Sequence, residues 1–146
     1  MSSLSPPLVR LHFLSEVPLR ERSRLKDFLP LIFKKEKKQL AEIQYIFCSD
    51  DYLLGINKQY LDHDYYTDII TFDLSEPGKP INAEIYISVD RVRDNARSFG
   101  TSLKKELHRV IFHGALHLCG YRDKKQQEEQ VMRKMEDQYL ALYFRI

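Results

Sequence analysis

The chain has 146 residues, 43% hydrophobic and 30% charged, with a formal net charge of +2. That is enough apolar material for one domain around a single core, and no apolar run approaches the ~20 residues a membrane helix needs. Two cysteines, Cys48 and Cys119, exclude a disulfide framework and make a reducing, cytoplasmic compartment the expectation, while the mild basicity is compatible with a nucleic-acid partner without establishing one.

The segment from Met1 to Pro7 lacks the basic stretch and apolar run of a signal peptide. Leu8 to Leu14 alternates as a first strand, and Leu19 to Phe33 reads as a helix with Leu25, Phe28, Leu29 and Ile32 on one stripe, ended or kinked by Pro30. Lys34-Lys35-Glu36-Lys37-Lys38 is a basic run, which is solvated surface unless the fold gathers it with other cations. Leu40 to Cys48 alternates as a second strand. Ser49-Asp50-Asp51 then supplies caps and negative charge to a helix from Tyr52 to Leu61. A polar, aromatic loop from His63 to Thr67 leads to a short strand, Asp68 to Phe72. Glu76 to Pro80 is a turn. Ile81 to Ser88 follows as a strand, with Ala83, Ile85 and Ile87 on one face and Glu84 and Tyr86 on the other.

Asp90 is expected to cap a helix through Phe99 that Gly100 stops, and Thr101 or Ser102 to cap the next, which runs to Cys119. From Lys124 to about Leu142 an amphipathic helix turns Val131, Met135 and Leu142 inward, with Met132 and Met135 as core filler. The expected fold is therefore a single α/β (α+β-like) domain, a four-stranded mixed sheet with about five helices, spanning 1–146.

The stretch His113 to Asp123 carries the chemistry. His113 and His117 are four residues apart in an apolar helix, about 40° from each other in azimuth, so both imidazoles can reach one ion. Gly120 is the natural helix stop, and Asp123 arrives six residues after His117. H-x-x-x-H-x-x-G-x-x-D has the spacing of the metzincin zinc motif with Asp for the last His, giving three protein ligands and an open position. A zinc peptidase of that type places a general-base Glu directly after the first His; here that residue is Gly114. Glu106 shares the histidines' azimuth but lies about 10 Å up the helix, too far to be a ligand. His108, about 140° from His113, reads as surface or structural, and Cys119, about 120° away, as core.

Several segments together resemble one family, the bacterial rRNA maturation factor and endoribonuclease YbeY. They are Leu54-Gly55-Ile56-Asn57, Thr67-Asp68-Ile69-Ile70-Thr71-Phe72, Ala83 to Ser88, and His113 to Asp123. The resemblance implies one Zn2+ per chain held by His113, His117 and Asp123, with Asp123 where the family's third His stands and Arg122 in place of an Asp. It also implies an Arg linked to activity where this chain has Leu61, the loss of a phosphate clamp. The implied function is a single-strand-specific, metal-dependent endoribonuclease acting in 16S rRNA 3′-end maturation and ribosome quality control. Its partners would be the ribosomal RNA precursor and the small ribosomal subunit, with no membrane and no nucleotide cofactor.

With Gly114 inert, Asp68 is the candidate general base, with a cap as its structural alternative. Thr67 could orient a phosphate or cap the strand. Arg91, Arg93, Arg97, Lys104 and Lys105 could contact RNA backbone or form a solvated helix face. Two other readings keep the fold: a non-catalytic ribosome-assembly factor binding pre-rRNA or a small-subunit protein, and another zinc hydrolase, against whose peptidase form Gly114 argues.

Overall fold

The computed structural model describes residues 5–145; Met1 to Leu4 and Ile146 lie outside them, and with them the two ends of the expected domain span and the start of the N-terminal segment. The alternating stretches form four strands, β1 (Leu8–Phe13), β2 (Leu40–Cys48), β3 (Ile69–Asp73) and β4 (Ile81–Ser88), in one sheet of order β1-β2-β4-β3. β1, β2 and β4 run parallel and β3 is antiparallel to β4, which makes the sheet mixed as expected. Five helices complete the domain: α1 (Arg22–Lys35), α2 (Asp50–Leu61), α3 (Val89–Phe99), α4 (Leu103–Leu118) and α5 (Gln126–Tyr143).

Register puts like with like. Ile43, Tyr45 and Phe47 of β2 pair with Ala83, Ile85 and Ile87 of β4, so each strand's apolar set lies on the same face. That face carries the main core, shared with α1, α3, α4 and α5; Cys48, Leu53 and Ile70 form a smaller core on the other face, under α2. The Tyr45 hydroxyl, buried in the main core, donates to the Ile111 carbonyl of α4 at 2.8 Å. A lone buried hydroxyl would cost ~1–3 kcal/mol, so this bond also fixes how α4 sits on the sheet.

Local chemistry sets most helix ends. Ser49, Ser88 and Ser102 accept from the backbone N–H groups of Tyr52, Arg91 and Lys105. Ser88, not the expected Asp90, therefore caps α3; Asp90 lies in the first turn and accepts instead from the Asp50 backbone N–H at 2.8 Å. Gly100 and Gly120 close α3 and α4 at φ 64° and 109°, where a side chain would be strained. α1 begins at Arg22, later than expected, because Val17 and Leu19 reach the core from the extended segment before it. Pro30 does not end α1, which continues to Lys35. On α5 the inward stripe is Met132, Glu136, Tyr139, Leu140 and Tyr143; Val131, expected inward, is 49% exposed because it lies one residue off that stripe.

α4 touches α1, α3, α5, β3 and β4, and most of its surface is buried. Gly114 is what lets it lie so close. A Cβ there would come within 2.8 Å of Ile85 Cδ1 and 3.1 Å of Ile69 Cδ1, so the position has no room for the glutamate of a zinc peptidase. His108, one face away, is buried, its Nδ1 donating to the Lys104 carbonyl at 2.7 Å and its ring against Tyr143 and Phe144. It is structural. For Gly114→Ala, a helix-propensity gain of about 1 kcal/mol competes with an overpacking cost of about 1–3 kcal/mol. The expected outcome is a net loss of about 1 kcal/mol in urea unfolding, and Gly114→Glu is expected not to fold.

Candidate active site

Helix periodicity brings His113 and His117 to one edge of α4, and the chain after Gly120 folds back to bring Asp123 beside them. Across from them the start of β3 contributes Thr67, Asp68, Ile69 and Thr71. Together with Arg109 and Lys124 they line a cleft of about 430 Å³. All five residues singled out from sequence, Asp68, Thr67, His113, His117 and Asp123, thus share one cleft. Leu61, at the end of α2, is not part of that lining.

The two imidazoles are held alike. Their rings are parallel within 4°, with centroids 6.5 Å apart. His117 Nδ1 lies 3.1 Å from the Tyr121 carbonyl, which can only accept, so Nδ1 carries the proton and Nε2 is left with a lone pair. His113 Nδ1 donates to Glu136 Oε2 at 2.6 Å, and Nε2 again faces the cleft, 3.1 Å from Asp123 Oδ2.

Glu136 belongs to a buried network that no local sequence signal marks, since it lies 23 residues beyond His113. Its other oxygen accepts from Arg109 Nη1 at 3.0 Å, and Arg109 also grips both oxygens of Glu106, at 2.8 and 2.5 Å. Arg109 stands one turn before His113 on the same helix edge, and that i−4 position was the signal available in the sequence. Burial works against the Glu136 charge, but the His113 hydrogen bond and the Arg109 guanidinium outweigh it and hold its pKa below the ordinary glutamate value. Burial likewise opposes a charge on His113, yet Glu136, Asp123 and Asp68 together raise its pKa. Burial raises the pKa of Asp68, with Arg109 and His113 pulling the other way. The Asp68 carboxylate accepts from Asn95 Nδ2 at 3.3 Å and its carbonyl from the Ser88 N–H at 2.9 Å. Thr67 Oγ1 lies 3.5 Å from the Ile69 carbonyl, a contact long enough to leave the hydroxyl free to turn.

Among the described residues, no three His, Cys, Asp or Glu side chains stand ready-gathered around a cation position. The donor set nonetheless fits one. Both histidines have Nδ1 committed to an acceptor, which is how metal-ligating imidazoles are held, and the third donor is a carboxylate. Ligands at about 2.0–2.2 Å around one tetrahedral ion stand roughly 3.3 Å from each other. The 3.1 Å between His113 Nε2 and Asp123 Oδ2 is close to that separation.

Of the cations expected to meet RNA, Arg91 is paired with Asp50 at 2.7 Å and Arg97 with Asp94 at 2.9 Å, while Lys104 lies 5.3 Å from the centre of the Phe144 ring. None of these, nor Arg93 or Lys105, is in the cleft lining.

In the metal-free protein, Glu136→Ala is expected to cost about 3 kcal/mol in urea unfolding, because it strips a partner from a buried guanidinium and from His113. Glu136 has a depressed pKa, so its stabilisation is present above its ordinary value of 4.5 and is lost as pH falls further; His113 has a raised pKa, so its share is complete below 6.5 and fades as pH rises. The gap between wild type and variant should therefore be widest between about pH 4.5 and 6.5.

Comparison with known proteins identifies the family. The family model described as endoribonuclease YbeY matches residues 15–143. The endoribonuclease YbeY of Cytophaga hutchinsonii is 52% identical over 128 residues, covering 88% of this chain and 90% of that protein. The enzyme of the same name from Phocaeicola vulgatus is 55% identical over 105 residues, covering 72% and 75%. The solution structure of TM1509 from Thermotoga maritima is 26% identical and superposes with a TM-score of 0.61 over 94% of this chain and 89% of that one. With a family match over most of its length and relatives above 50% identity, this chain belongs to the YbeY family of endoribonucleases, which are hydrolases.

Proposed function

We propose that the protein is a zinc-dependent endoribonuclease that cuts single-stranded RNA in the cleft between α4 and the start of β3, with ribosomal RNA precursor as substrate. His113 Nε2, His117 Nε2 and Asp123 would hold the ion. The observation that carries this reading is the shared orientation of the two imidazoles, each with Nδ1 donated and Nε2 left for the cleft. Charge supports it. Asp68, Glu106, Asp123 and Glu136 put four carboxylates at or just behind the cleft against the cations of Arg109 and Lys124, a surplus that a divalent cation would neutralise before a phosphodiester could enter.

Bound there, the ion would polarise a phosphodiester oxygen or bring the pKa of a water toward about 7. Asp68 faces the same space and takes the proton of the attacking oxygen; its raised pKa moves it toward the range in which a base works near neutral pH. Thr67 turns its hydroxyl to a phosphate oxygen, and Lys124, exposed at the rim, offsets the phosphate charge. Arg109 is held by two carboxylates, so it orients Glu136, and through it His113, rather than gripping substrate. Glu136 and the Tyr121 carbonyl do for the two imidazoles what outer-shell partners do in other metal sites.

The biological setting proposed with it is 16S rRNA 3′-end maturation and ribosome quality control on the small subunit, in the cytoplasm, by a single domain spanning 1–146; membership of an endoribonuclease family supports it. Among the described residues no helix is long and apolar enough to cross a membrane. A peptidase reading has no support, because Gly114 is packed against Ile85 and Ile69.

The test is cleavage of a single-stranded and a duplexed rRNA fragment by zinc-loaded protein. Cutting should favour the single strand, stop with chelator, return with zinc, and vanish in His117→Ala together with stoichiometric zinc binding. Metal-independent binding without cutting would instead make the protein a non-catalytic assembly factor. Asp68→Asn is expected to lower the cleavage rate by about 10²–10⁴-fold. Because the fold raises the pKa of Asp68, its charge costs stability above that pKa, so the same variant should melt slightly higher than wild type at pH 7.

A further inference from the structure

The basic run at the end of α1 has no place in the cleft lining, yet the fold ties it to the loop that carries Asp123. Glu36, at the C-cap of α1, accepts from the Tyr121 hydroxyl at 2.8 Å and from the Tyr139 hydroxyl at 2.5 Å. Tyr121 is in the loop between α4 and α5, two residues before Asp123, and the same loop carries Arg122, Lys124 and Lys125. One carboxylate thus ties Lys34, Lys35, Lys37 and Lys38 to a second basic segment 85 residues away. Lys38 is close enough to Cys119, at the end of α4, for its charge to be felt by that thiol.

We propose that the lysines of the α1 C-terminus and the cations of the α4–α5 loop form one track that binds the phosphates of single-stranded RNA and leads the strand into the cleft. This rests on the endoribonuclease reading of that cleft. All seven cations are exposed, and among the described residues none of them is in an ion pair. Lys124 lines the cleft itself, so the track is continuous with the site. Glu36, the acidic residue within the run, has both oxygens covered by tyrosine hydroxyls.

The helix end explains only part of the run. Lys34 and Lys35 complement the negative end of α1. Lys37 and Lys38 lie beyond it, in a closing turn where the Lys38 N–H reaches the Phe33 carbonyl at 2.8 Å and the Lys37 N–H the Lys34 carbonyl at 3.1 Å. Lys37 occupies the left-handed position of that turn at φ 61°, where glycine would be less strained. Folding alone would favour glycine there; the lysine adds a cation to the track.

The experiment compares wild type with the quadruple variant Lys34→Gln, Lys35→Gln, Lys37→Gln, Lys38→Gln on two single-stranded oligonucleotides, one just long enough to fill the cleft and one several times longer. Four lost phosphate contacts should reduce the slope of log K against log salt by roughly 3 for the long strand, at about 0.7 per contact. KM for the long strand should rise at least about tenfold, with kcat and all constants for the short strand unchanged. Lys37→Gly alone should melt higher than wild type and still lose about 0.7 of the slope, which separates binding from folding. An unchanged slope with undiminished cleavage overturns the track and leaves the cleft's function standing. A wild type that neither cuts the short strand nor binds the long one overturns both.

Discussion

The buried carboxylate of Glu136 is the charge on which the arrangement of the cleft depends. An ionised glutamate whose side chain is only 2% exposed is tolerable only if both its oxygens are paired, and its hydrogen-bond partners are Arg109 and His113, both on α4. The pairing therefore fixes α5 to α4 and, in the same contact, fixes the ring of His113. Arg109 in turn needs Glu106 to match its remaining nitrogens, so the network runs two turns of α4 before it ends at the cleft.

The opposite side of α4 is governed by sterics. Gly114 lets the helix lie against Ile85 and Ile69, and the Tyr45 hydroxyl holds the Ile111 carbonyl from the sheet. The helix edge that remains free is the one with His113 and His117, and it faces the start of β3. A glycine where a peptidase would carry its base is thus a packing requirement as well as a chemical exclusion, and the carboxylate that faces the cleft from the other side is Asp68, just before β3.

A second fastening operates at the far end of α4. Glu36 joins α1 to Tyr121 and Tyr139, and the Tyr121 carbonyl orients His117. The loop that presents Asp123 is therefore braced from α1 while α5 braces His113. Both imidazoles are oriented by groups outside their own helix turn, which is why their rings come out parallel even though His117 is exposed and His113 largely covered.

The sequence by itself determined the parts with local causes. Alternation and, for β3, β-branched composition placed the four strands, serines and glycines set helix ends, and a four-residue spacing put His113 and His117 on one edge; the family was legible in four short segments for the same reason. It erred where two local signals competed, as at Asp90 beside Ser88, or where a stripe was read one residue off, as at Val131. Only the tertiary structure could pair Glu136 with His113, turn Arg109 from substrate toward a carboxylate, or lay Lys34 to Lys38 beside Arg122 to Lys125. Those relations join residues 23 to 85 positions apart. Nothing in a periodic pattern encodes such contacts, because they arise from how helices pack over a sheet and not from the conformation of any one of them.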